Sequence, residues 1–125
     1  MIVLTGGDLV LPGQMLPNAA LLIDDGRIVG IEQRARVDPA GATVIHAPNC
    51  YVVPGFIDVH VHGVDGSDTL DENDAVARIA SRLPRYGVTA FCPTTVACTP
   101  AALRAVLVQV TAARAARPMK SARVL

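Results

Sequence analysis

At Pro54-Gly55 the grammar of the chain changes, and the segment beyond that turn restricts the fold more than anything before it. From there the 125-residue sequence reads strand, helix, strand, helix, strand. Phe56–His62 predicts a strand and Gly63–Asp71 a loop rich in Gly and Asp. Asp71 or Asn73 can cap a helix whose apolar stripe, Val76, Ile79, Ala80 and Leu83, keeps the i, i+3, i+4, i+7 pattern. Pro84 is expected to end or kink that helix, Gly87 to stop it, and Val88–Pro93 to form the second strand. Thr99 caps a second helix with Pro100 in its first turn, where a missing N–H costs nothing. Leu103, Val106, Leu107, Val110 and Ala113 are its expected buried face. Pro118 ends it, and Arg123–Leu125 begins a third strand. This alternation predicts βα units on a parallel sheet. A closed (β/α)8 barrel takes about 250 residues, so residues 54–125 correspond to its first two and a half units, broken off in the third strand. The expected class is α/β, with an incomplete (β/α)8 barrel.

Residues 1–53 have another rhythm. Ile2–Leu4 and Leu9–Leu11 are short apolar runs around Gly6-Gly7-Asp8. Ala20–Ile23 and Ile28–Ile31 flank Asp24-Asp25-Gly26-Arg27, and Asp-Gly between apolar runs is a strong hairpin signal because a type I′ turn needs positive φ at both central positions. After a polar stretch, Glu32–Gly41, Thr43–Ala47 and Tyr51–Val53 add two strands. This half is expected to be part of a small β-sandwich.

Composition narrows the partners. Hydrophobic residues make up 51% and charged residues 18%, a globular balance rather than a disordered one. Lys and Arg number 11, as do Asp and Glu, so nothing suggests nucleic acid. No apolar run approaches the ~20 residues of a membrane span, and MIVLTGGDLVLPG lacks the basic leader and apolar core of a signal peptide. The expectation is a cytoplasmic chain without nucleic-acid or membrane partners. Cys50, Cys92 and Cys98 contain no CxxC pair and read as buried, reduced thiols.

The segment that carries chemistry is Pro54–Gly63, PGFIDVHVHG. Alternate side chains of a strand share a face, which puts Asp58, His60 and His62 on one side and Ile57, Val59 and Val61 on the other. Two imidazoles two residues apart at the C-terminal end of a strand can bind one metal ion, and that end is the catalytic face of a barrel. A bare His-x-His is common by chance. Its context here, after a β module and a Pro-Gly turn, with a carboxylate two residues earlier and an Asp-rich loop after, favours the metal reading. His60 and His62 are the candidate ligands. Asp58 is read as the partner that orients an imidazole, and the lone His46 as structural. Asp65, Asp68 and Asp71 read as a solvated loop with a helix cap.

PGFIDVHVHG resembles the first barrel strand of the amidohydrolase superfamily, whose His-x-His contributes metal ligands. LLIDDGRIVGIE is similar to the β-sandwich hairpin that precedes that barrel. Within the superfamily, HGVDGSDTLD and YGVTAFCPTTVACTPAALRAVL resemble the loop, second strand and second helix of the N-acetylglucosamine-6-phosphate deacetylase family. The resemblance implies hydrolysis of an amino-sugar phosphate with a divalent metal ion, zinc or iron, and a homodimer as the full-length form. It further implies that the glutamate ligand, two more histidines and the proton-shuttling aspartate lie beyond Leu125. No catalytic residue is therefore expected within the chain, and the isolated 125 residues are expected to be inactive. Other readings of the same residues are a dihydroorotase-like or deaminase-like amidohydrolase, or a truncated, non-catalytic remnant.

Overall fold

The computed structural model describes residues 1–33 and 40–125, so most of the polar stretch Glu32–Gly41 lies outside the described residues. The chain divides into two compact units, Met1–Pro54 and Gly55–Leu125.

The first unit holds two small sheets. One takes β1 (Ile2–Thr5), β4 (Ala19–Asp24), β5 (Arg27–Gln33) and β6 (Thr43–His46) in the order β5-β4-β1-β6. The other takes β2 (Asp8–Leu11), β3 (Gln14–Leu16) and β7 (Tyr51–Val52) in the order β3-β2-β7. The β4–β5 hairpin turns at Asp25 and Gly26, with φ of 46° and 69°, the two positive values a type I′ turn requires. Strand β3 was not expected. It pairs antiparallel with β2, and three residues are too few to show an alternation in the sequence.

The second unit is a three-stranded parallel sheet with two helices. Its strands are β8 (Phe56–Val61), β11 (Val88–Pro93) and β12 (Arg123–Val124), in the order β12-β11-β8. Between β8 and β11 lie a short hairpin, β9 (Gly63–Val64) and β10 (Ser67–Asp68), then helix α1 (Ala75–Arg82) and a 3₁₀ turn, Leu83–Tyr86. Helix α2 (Pro100–Ala116) joins β11 to β12. The core is Val61, Val76, Ile79, Ala80, Leu83, Val88, Phe91, Ala122 and Val124, with Val64, Val110 and Ala113 packed against it. The expected stripe of α1 is buried throughout.

Three local expectations need correction, and a fourth, the end of α1, is met. Gly63–Asp71 is not a plain loop: β9 and β10 pair across Asp65 and Gly66, whose φ values of 50° and 74° make a second two-residue turn of the Asp-Gly kind. It was hidden because its flanks are not apolar runs. Pro84 ends α1 as expected, the chain passing into the 3₁₀ turn Leu83–Tyr86, and Gly87 at φ 76° closes it. The residue before α1 is Asp74, not Asp71 or Asn73; it is left-handed and makes no side-chain cap bond. The Val76 N–H instead donates to Gln109 Oε1 of α2 at 3.2 Å. In α2, Thr99 caps as expected, its Oγ1 accepting from Ala102 N, but Leu103 and Leu107 stay 42% and 54% exposed. Of the expected apolar face only Val106, Val110 and Ala113 are buried or half-buried, and Leu107 lies roughly 100° round the axis from Val106.

Candidate metal centre

Strand β8 carries Asp58 and His60, and His62 comes directly after its last residue. Period two works as expected locally: Val61 is buried in the core while His60 is exposed and His62 half-buried on the other side. The two rings converge, with His60 Nε2 and His62 Nε2 3.0 Å apart and the planes at 75°.

The tautomer of His62 is set by its other nitrogen. Nδ1 lies 3.1 Å from the Thr94 carbonyl oxygen, which only accepts, so Nδ1 carries the proton and donates. In a neutral ring, Nε2 then presents a lone pair towards His60. This is the arrangement a metal-ligating imidazole needs, with the far N–H tied to an acceptor and the near nitrogen free. The 3.0 Å spacing is close to the about 3.3 Å between neighbouring donors at tetrahedral corners around zinc, so a small opening would let both nitrogens share an ion. Imidazole is a ligand for both zinc and iron.

The loops hold this geometry. The Thr94 N–H donates to the Val61 carbonyl at 2.8 Å, and the Thr69 N–H donates to the His62 carbonyl at 2.7 Å. Thr69 Oγ1 donates to the Thr94 carbonyl at 2.8 Å. A Cβ on Gly63 would run into the Ser67 carbonyl, so glycine lets the β9–β10 hairpin fold back directly after His62. Arg82 of α1 clamps that hairpin from outside, its Nη1 donating to the Asp65 carbonyl at 3.0 Å and to Ser67 Oγ at 2.8 Å. Tyr86 donates its hydroxyl to Asp65 Oδ1 at 2.6 Å. That hydrogen bond, reinforced by the Asp65 charge, raises the phenol above its ordinary pKa.

Among the described residues the bond seen for Asp58 is to a main chain and not to an imidazole ring. Its Oδ1 accepts the His60 main-chain N–H at 3.1 Å, a local bond that short acidic side chains make readily on an edge strand. Asp68 and Asp71 serve the loop, accepting the N–H groups of Leu70 and Asp68, and Asp71 also pairs loosely with Arg78. His46 lies in the first unit on β6, opposite Thr5. Cys50 and Cys98 are exposed and Cys92 half-buried, all with free thiols, so burial is not what characterises them. Thr69, Thr94, Arg82 and Tyr86, whose hydrogen bonds surround the histidine pair and its hairpin, were not singled out from the sequence. The Pro93-Thr94 turn after the second strand was the one visible signal. Among the described residues no group of three or more His, Cys, Asp or Glu side chains gathers as a metal site. The chain offers two donors, and a catalytic zinc site takes three from protein.

No protein-family model matches the chain. Comparison with individual proteins is more informative. A Bacillus subtilis (strain 168) N-acetylglucosamine-6-phosphate deacetylase is 32% identical over 89 residues, 70% of this chain and 22% of the relative. The chain resembles a part of this enzyme. In three dimensions, a mutant form of the Mycobacterium smegmatis deacetylase, solved in complex with N-acetyl-D-glucosamine-6-phosphate, superposes with a TM-score of 0.70 at 29% identity. That match covers 93% of this chain and 29% of the other. A Staphylococcus epidermidis dihydroorotase is also similar, 31% identical over 88 residues, 67% of this chain and 19% of the relative. The chain thus spans about a fifth of the length of the deacetylase and dihydroorotase sequences it matches.

Proposed function

We propose that these 125 residues are the N-terminal part of a metal-dependent amidohydrolase that deacetylates N-acetylglucosamine 6-phosphate to glucosamine 6-phosphate and acetate. Residues 1–53 act as part of a β-sandwich and residues 54–125 as the opening of a (β/α)8 barrel. The observation that carries the reading is the converging Nε2 pair of His60 and His62 at the C-terminal end of β8, in a chain similar over most of its length to deacetylases.

His60 and His62 would hold a divalent ion, zinc or iron, through Nε2. When bound, such an ion lowers the pKa of water and polarises a carbonyl. The chain's own residues supply the setting: Thr94 fixes the His62 ring, Asp58 ties down the His60 backbone, and the β9–β10 hairpin walls one side of an open recess of about 320 Å³ lined in part by Asp58, His60, His62 and Tyr86. The remaining ligands and the acid that protonates the leaving amine come from outside these residues. Among the described residues no helix is long and apolar enough to cross a membrane; the reading puts the enzyme in the cytoplasm as a homodimer.

The test joins residues 1–125 to the remaining length of either the Bacillus subtilis deacetylase or the Staphylococcus epidermidis dihydroorotase. Acetate release from N-acetylglucosamine 6-phosphate is expected from the first fusion, with metal present, and no hydrolysis of dihydroorotate from the second. The chain alone is expected to release no acetate above background. An active dihydroorotase fusion beside a folded, inactive deacetylase fusion would overturn the assignment.

A further inference from the structure

Thr69 sits in the turn after β10, yet it is completely buried. Both its hydrogen-bond donors are spent on the histidine pair's surroundings. Its N–H donates to the His62 carbonyl at 2.7 Å, and its hydroxyl donates to the Thr94 carbonyl at 2.8 Å. The Thr94 carbonyl is the same atom that accepts from His62 Nδ1. A carbonyl oxygen has two lone-pair directions. With Thr69 in one of them, the other faces the imidazole. The Thr94 backbone is held in turn through its N–H on the Val61 carbonyl. His62 is therefore gripped at its main chain by one group of Thr69 and at its ring by a carbonyl that the other group of Thr69 aims.

We propose that Thr69 is the positioning residue that locks His62 in the Nδ1–H tautomer, with Nε2 open towards His60. Its effect on metal affinity rests on the metal reading above; its effect on the tautomer does not. Thr69→Val removes the hydroxyl and keeps the shape, and Thr69→Ser keeps the hydroxyl.

The first readout is imidazole nitrogen NMR of the purified, isotope-labelled chain, which separates N–H from bare nitrogen in each ring. The wild type is expected to show His62 with Nδ1 protonated and Nε2 bare, Thr69→Val a mixture of tautomers, and Thr69→Ser the wild-type pattern. The second readout is titration with zinc or cobalt. Changes to groups that orient a metal-ligating histidine typically cost about 10–100-fold in affinity, and that loss is expected for Thr69→Val, with recovery in Thr69→Ser. A bare Nδ1 on His62 in the wild type would overturn the proposal without any variant, as would a Thr69→Val chain with wild-type tautomer and affinity. If His62→Ala binds the metal as well as the wild type does, the metal reading fails while the tautomer result still stands or falls alone.

Discussion

Helix α1 takes its N-terminal cap from another helix, and that borrowed cap can be removed. Gln109 of α2 accepts the Val76 N–H through Oε1 at 3.2 Å and donates from Nε2 to the Asp71 carbonyl at 3.1 Å. Val76 is the second residue of α1, one of the positions whose N–H has no partner within the helix, and it is completely buried. Asp74, left-handed just ahead of it, gives no side-chain bond. In Gln109→Ala the N–H of this buried residue loses its acceptor. Leaving a buried donor unpaired costs about 1–3 kcal/mol, a range that overlaps the ~0.5–2 kcal/mol measured for lost N-caps. The two figures describe one loss and are not added. The expected destabilisation is about 1–3 kcal/mol, equivalent to roughly 5–150-fold faster exchange of the Val76 amide. Gln109→Glu keeps an acceptor and sets a negative charge at the positive end of the helix, but it loses the donor to Asp71. It should fall between wild type and alanine. Hydrogen exchange at Val76 and denaturant unfolding read the effect. Exchange and midpoint unchanged in Gln109→Ala would refute the reasoning, because a cap that carries α1 cannot be removed without cost.

In the deacetylase fusion, replacing His60 and His62 together by Ala is expected to abolish bound metal by elemental analysis, while His46→Ala leaves it unchanged. Asp58→Asn should keep most of the metal, since the amide oxygen can still accept the His60 main-chain N–H; a loss as large as that of the double variant would mean the carboxylate charge is itself a ligand. The Tyr86–Asp65 bond needs a protonated phenol, and the folded pKa is raised above 10.0. Its contribution to hairpin order is therefore complete below pH 10.0 and lost as pH rises through the higher folded value, with protection of the β9–β10 amides falling there in wild type and Tyr86→Phe showing no such step. Strand β8 is an edge with Ile57 and Val59 exposed at 63% and 69%, an invitation to strand pairing between chains. The isolated chain should associate with rising concentration in sedimentation velocity, and Val59→Lys should suppress it.

The legible parts of the fold were those written by period and by turn chemistry. The Val76, Ile79, Ala80, Leu83 stripe, the Asp25-Gly26 turn and the Thr99 cap all depend on residues within one turn or hairpin, and all appear in the structure. The α2 face was over-read because the sequence shows which residues are apolar but not how wide a stripe the neighbours cover. Leu103 and Leu107 are as apolar as Val106 and Val110; only packing separates them. The α1 cap was misplaced for a related reason. Asp71 and Asn73 look like caps, but the acceptor that reaches Val76 comes from 33 residues away.

The candidate site repeats the same division. Strand alternation is a local rule, and it placed His60 and His62 together correctly as neighbours in space. Which atom holds the His62 ring is a non-local matter: it is a main-chain carbonyl and not the nearest carboxylate. Asp58 is spent on the N–H two residues on, whereas the acceptor for His62 arrives from the end of the next parallel strand. The architecture explains why. Parallel strands bring their C-terminal ends side by side, so the main-chain carbonyl after β11 lies beside the side chain after β8 without any special residue being required. What does require a particular residue is aiming that carbonyl, and the only buried hydroxyl hydrogen-bonded to it among the described residues belongs to Thr69. A metal site at the mouth of such a sheet is therefore specified twice: by the histidines, which a sequence displays, and by the groups that fix the carbonyl between strands, which it does not.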